Sequence, residues 1–139
     1  GRMLCVIDLD TVLNSPCFND FGDAIRTYAN HGREDDDELG NVWLDMAMFR
    51  GFAEGYLSEA RAFLTPVETD ALAFSVRYIT YEQVLRFLMD YIDGDTYYKT
   101  KYPEHNLVRT RAQYKLLQSM EEQYGTMCEI VRETVAKYK

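Results

Sequence analysis

The stretch TPVETDALAFSVRYITYEQVLRFLMDYIDGD, residues 65–95, decides the fold. Its first four residues combine an N-cap threonine (Thr65), a proline at the first helical position (Pro66) and a capping-box glutamate (Glu68), so a helix starts there. Leu72, Phe74, Val76, Ile79, Val84, Leu85, Leu88 and Ile92 nearly surround the axis of that helix. Such a pattern predicts a helix over 66–93 that is buried on several sides and stands at the centre of a helical domain. Asp93-Gly94-Asp95 ends it.

Working outward, helical signals recur. Asn19 or Asp20 can cap a helix over 20–29. Leu44, Met48, Phe49, Phe52, Tyr56, Leu57 and Phe63 repeat at helical spacing and predict a helix over 44–63, on which Gly51 and Gly55 suggest close packing against a neighbour. After an aromatic and basic linker at Tyr97 to Tyr102, Tyr102-Pro103-Glu104 opens a last helix over 103–124, with His105 serving its start. Glu34 to Glu38 is a block of five acids without the alternating ligands and internal glycine of a calcium loop, and reads as a solvated loop. Only residues 4–10 have strand composition. The expectation is one mainly α domain spanning 1–139, with one short N-terminal β-strand or hairpin.

Composition limits the functional classes. The 139 residues carry a net charge of −8. The charge is uneven, with 14 acidic and 5 basic side chains in residues 1–70 against 9 and 10 in residues 71–139. An acidic N-terminal half argues against a nucleic-acid surface. No apolar run approaches the ~20 residues that span a bilayer, and no signal-peptide pattern is present, so a cytoplasmic protein without a membrane partner is expected. Cys5, Cys17 and Cys128 form no C-x-x-C pair and have only His31 and His105 as companions, so they read as reduced thiols rather than zinc ligands.

The chemistry is concentrated near the N-terminus. In Leu-Cys-Val-Ile-Asp-Leu-Asp-Thr-Val-Leu (4–13), Asp8 and Asp10 are two residues apart and would share one face of a strand end. Two such carboxylates suit Mg²⁺, which takes a few protein oxygens and completes its octahedron with water and substrate phosphate. Asp8, Asp10, Val12 and Leu13 also match the D-x-D-x-[TV]-[LV] motif of haloacid-dehalogenase-type phosphatases, in which the first Asp is the nucleophile. That fold needs several further parallel strands, and no convincing strand run follows Leu13.

Over VIDLDTV (6–12), DFGDAIR (20–26), TYEQVLRFLMDYIDGDTYYK (80–99) and KYPEHNL (101–107), the chain resembles the C-terminal lobe of the aminoglycoside phosphotransferase/choline kinase superfamily. It is particularly similar to the N-acetylhexosamine 1-kinase-like branch, and the resemblance runs from Leu4 to about Met120. It implies the helical C-terminal lobe of a protein-kinase-like fold, and a parent enzyme that uses ATP and Mg²⁺ to phosphorylate a small-molecule acceptor, an amino sugar. Asp8 would bind the Mg²⁺ and Asp10 would support it. Asp20-Phe21-Gly22 spells the metal-binding triplet of protein kinases, but in the resembled family the metal Asp lies in the upstream Ile-Asp motif. Asp20 and Asp23 are therefore read as cap and scaffold.

The same resemblance places the HxDxxxxN-type catalytic loop and the nucleotide-binding lobe upstream of Gly1. The expectation is then a lobe that carries no catalytic residue of its own, holds ATP and Mg²⁺ only weakly, and is inactive without its N-terminal partner lobe. Removal of that lobe would leave an apolar face to self-associate. Arg86 and Tyr97 are the expected acceptor-binding residues, with Tyr102 a further candidate: a guanidinium can hydrogen-bond sugar oxygens, and a tyrosine ring can cover a sugar face. The alternative reading of Arg86 is an ion-pair ladder with Glu82 and Asp90 at i−4 and i+4, which the residues favour when the resemblance is set aside. A non-enzymatic helical interaction module is the competing class.

Overall fold

The computed structural model describes Cys5, Val12 and residues 14–138. Asp8, Asp10 and the strand expected over 4–10 lie outside the described residues. Within them the chain is mainly α. The helices are α1 (Phe18–Tyr28), α2 (Met46–Ala60), α3 (Pro66–Ile92), α4 (His105–Glu122) and α5 (Tyr124–Lys137). No β-strand occurs among the described residues; the one extended pairing is an isolated antiparallel bridge between Asn30 and Leu44.

The central helix begins where the residues demand. The Thr65 hydroxyl accepts from the Glu68 N–H (3.2 Å), and the Glu68 carboxylate accepts from the Thr65 N–H (2.9 Å), which completes a capping box. The Thr65 N–H, followed by the Thr65 hydroxyl, which also donates to the carboxylate (2.7 Å), holds the Glu68 carboxyl below its ordinary range. At the far end Gly94 and Asp95 both take positive φ (88° and 58°) and turn the chain out of the helix.

Other boundaries differ from expectation for identifiable reasons. Neither Asn19 nor Asp20 caps α1: the Asn19 N–H closes a turn on the Pro16 carbonyl (3.2 Å), and the helix has already begun at Phe18 behind Cys17. Asp45 caps α2 by accepting from Ala47 and Met48, leaving Leu44 outside the helix and buried in the bridge. Pro103 precedes α4, because Glu104 adopts a left-handed conformation and helical geometry starts only at His105. The final helical stretch is two helices rather than one. The chain breaks at Gln123, whose side-chain amide donates to the Leu44 carbonyl (3.1 Å), and α5 follows to Lys137. Met127, Ile130, Val131 and Thr134 give α5 a buried face at helical spacing, a signal legible in the sequence beyond the expected end at 124.

The core gathers Phe21 and Ile25 of α1, Phe49 and Leu57 of α2, Leu72 and Val76 of α3, Leu116 and Met120 of α4, and Met127 and Ile130 of α5. The Phe21 ring sits edge-on to Phe49 (6.2 Å) and beside Phe52 and Tyr56. Gly22 allows α1 to lie directly on α3, since a Cβ there would stand 2.6 Å from the Ser75 carbonyl oxygen. Gly51 and Gly55 do the opposite of what was expected: a Cβ on either would meet nothing within 4 Å. Helix α3 packs centrally against α1, α4 and α5, but Phe74, Leu85 and Ile92, which were expected among its buried residues, lie on a solvent-facing side.

The acidic block is a loop in which Glu34, Asp37 and Glu38 stay exposed, while Asp35 and Asp36 are partly or fully buried against donors. Arg26, itself held by Asp23 (2.9 Å), binds Glu34 (2.8 Å) and the Gln113 side-chain oxygen (3.2 Å). Asp36 is buried and accepts from the N–H groups of Arg33 and Glu38. Asp35 accepts from His105 (3.1 Å) and Lys101 (3.3 Å). Like charges are tolerated here because each of three carboxylates meets its own donors.

Candidate functional site

The C-terminal end of α3, the turn after it and the start of α4 form one hydrogen-bonded unit built on Asp90. This aspartate is only 5% exposed. Its carboxylate accepts from the backbone N–H groups of Tyr97 (2.7 Å) and Tyr98 (2.9 Å) and from the Asn106 side-chain amide (2.7 Å). Its carbonyl accepts from the Asp95 N–H (2.7 Å). Burial pushes the Asp90 carboxyl up, but the N–H donors of Tyr98, Tyr97 and Thr96, with Asn106, more than offset it, and the group is held below the ordinary carboxylate range. Asn106 also donates to Asp95 (2.8 Å), and its oxygen accepts from Arg109 (2.8 Å). The left-handed Gly94-Asp95 pair is what lets residues 96–98 fold back over the carboxylate.

This anchoring sets the aromatic pair in place. Tyr98 packs on Phe87 (4.8 Å) and its hydroxyl accepts from Gln83 (3.2 Å). Tyr97 stands edge-on to Tyr98 (4.8 Å) and is 73% exposed. Arg86 lies 5.9 Å from the Tyr97 ring centre and 5.8 Å from that of Tyr98, within reach of the π faces. Its ion pair with Glu82 spans 3.9 Å with both side chains about half exposed, a weak contact that leaves guanidinium donors for another acceptor. Together Arg86, Met89, Asp90, Asp93, Thr96, Tyr97 and Tyr98 line an open cleft of about 260 Å³. Its mixture of aromatic walls, a cation and polar rim atoms suits a small polar ligand.

Arg86 and Tyr97 thus meet at one cleft. Tyr102 does not join them: its ring packs on His105 (4.5 Å) and is absent from the cleft lining. The Arg86–Asp90 rung of the alternative ladder does not form, because Asp90 turns its carboxylate to the Tyr97 and Tyr98 N–H groups and the Asn106 amide, which outcompete one exposed guanidinium. Asp90, Asn106 and Tyr98 were missed as positioning residues. The available signal was an acid at the end of an apolar helix, just before a D-G-D turn whose backbone needs an acceptor.

His105 is buried at the first position of α4. Its Nδ1 accepts from the Lys101 N–H (3.2 Å), so Nε2 carries the proton and donates to Asp35. That bond is the main cause of the Asp35 carboxyl lying below its ordinary range. His105 is therefore a strut between α4 and the acidic loop. Asp23 is a scaffold residue by its contact with Arg26, whereas Asp20 is exposed in the first turn of α1 and caps nothing. Among the described residues no three His, Cys, Asp or Glu side chains gather as a metal site. No helix of the described residues is long and apolar enough to cross a membrane. No family model matches the chain.

Proposed function

We propose that the chain is the acceptor-binding helical lobe of an ATP- and Mg²⁺-dependent small-molecule phosphotransferase, and that the acceptor is an amino sugar held in the Arg86–Tyr97 cleft. The observation that carries this reading is the pairing of an under-used guanidinium with an exposed tyrosine ring over an open cleft. The guanidinium would donate to a ring hydroxyl or an N-acetyl oxygen, and Tyr97 would cover the apolar face of the sugar. Asp90, saturated by donors, would fix the loop rather than touch the acceptor. The metal assignment rests on Asp8 and Asp10 from the sequence alone; bound there, Mg²⁺ would offset charge on the transferring phosphate. The phosphatase reading loses support from five helices with no strand among the described residues.

The test is an amide NMR titration of the isotope-labelled chain with an N-acetylhexosamine and, separately, with glucose. Saturable shifts at residues 86 and 96–98 for the amino sugar, lost in Arg86→Ala, are expected. Shifts elsewhere, or identical responses to both sugars, would remove the assignment.

A further inference from the structure

Helix α3 has two apolar faces, and only one of them is covered. Val67, Phe74, Tyr78, Tyr81, Leu85 and Ile92 are each between 40% and 77% exposed. With the half-buried Ala71 and Leu88 they form a row whose spacings are 4, 3, 4, 3, 4, 3 and 4, with no charged residue at any of its positions. That is the heptad spacing of a helix seam, in which residues 3.5 apart on average face a partner helix. The row runs about 37 Å at 1.5 Å per residue. The Phe74 and Tyr78 rings stack along it at 6.0 Å.

We propose that this face pairs with the same face of a second copy of the chain, α3 against α3 across a two-fold axis. Knobs-into-holes packing needs a partner helix with the same repeat. Among the described helices α3 is the one that presents such a repeat to solvent, so a second α3 supplies the match. A two-fold contact requires a surface complementary to itself, and a regular 4-3 row meets that condition. Size agrees: with about half of each large side chain open, a copy offers on the order of 600 Å², and the pair buries roughly 1,200 Å², enough for a specific dimer. This proposal does not depend on the phosphotransferase reading.

Sedimentation velocity of the whole chain over a micromolar-to-millimolar series tests it, with Leu85→Glu and Tyr81→Glu measured alongside. The wild type is expected to shift from one to two chains in mass with rising concentration. Either substitution, exposed in the monomer, should leave helicity and melting unchanged while weakening dimerisation at least about a hundredfold, because it places two carboxylates in an apolar seam. Met48→Glu, in a separate groove beside Tyr28 and Phe52, should leave dimerisation intact. A monomer at every concentration would overturn the proposal. So would a dimer that persists in Leu85→Glu, since another surface would then hold it.

Discussion

Gly22 of α1 faces the Ser75 carbonyl of α3 at backbone distance: a Cβ added at 22 would lie 2.6 Å from that oxygen. Three residues of the Asp-Phe-Gly-Asp segment serve packing and positioning. Phe21 fills the core, Gly22 admits the neighbouring helix, and Asp23 orients Arg26.

Gly22→Ala is accordingly expected to lower stability by about 1–3 kcal/mol, the usual cost of forcing extra volume into a packed contact. Gly51→Ala and Gly55→Ala meet open space on α2 and should each raise it by about 0.5–1 kcal/mol by restricting the unfolded chain. Urea denaturation of the three variants reads out the contrast in sign.

Arg86→Ala separates a binding residue from a surface ion pair by size. An exposed pair of this geometry is worth about 0–1 kcal/mol, so the melting temperature should barely move. In the phosphotransferase proposed above, loss of a charged donor to the sugar should cost about 1.5–3 kcal/mol, or roughly tenfold to a hundredfold in kcat/KM. Tyr97→Phe should cost less, because the ring remains. Near-normal kinetics in Arg86→Ala would move the acceptor site elsewhere.

Asp90 predicts a pH dependence whose sign follows from its lowered carboxyl. The folded group binds its proton less readily than the unfolded one, whose ordinary value is 3.8. Its stabilisation is therefore present above that value and is lost as pH falls through the lower folded value. Asp90→Asn should be less stable at neutral pH and show a shallower loss than wild type as pH drops below about 4. Parallel acid titrations of the two proteins by circular dichroism would check this.

His105→Ala should release the acidic loop from α4. It leaves the Lys101 N–H without its acceptor and the Asp35 carboxylate with Lys101 alone, which should cost about 1–3 kcal/mol. Hydrogen exchange should quicken most over residues 31–41, while amides in the middle of α2, remote from the strut, keep their protection. Uniform loss across all helices would mean that His105 supports the whole core instead.

The sequence by itself determined the elements whose causes are local. The start of α3 follows from Thr65-Pro66-Val67-Glu68, because a capping box is made by four consecutive residues, and its end follows from Asp93-Gly94-Asp95. The same holds for the existence of α2 and the mainly α class. The tertiary structure decided what depends on distant partners. Gly22 is crowded while Gly51 and Gly55 are free, although glycine in a helix looks alike in all three places until a neighbour's backbone is positioned. Asp90 turned from Arg86 to the N–H groups of residues 97 and 98 because the turn brings several donors to one carboxylate. Two acids of the block are drawn out of solvent, Asp36 by N–H groups of its own loop and Asp35 because Lys101 and His105 arrive from another segment. Which apolar face of α3 enters the core was settled by the packing of α1 and α4, since periodicity reports that two faces are apolar and cannot say which one finds a partner.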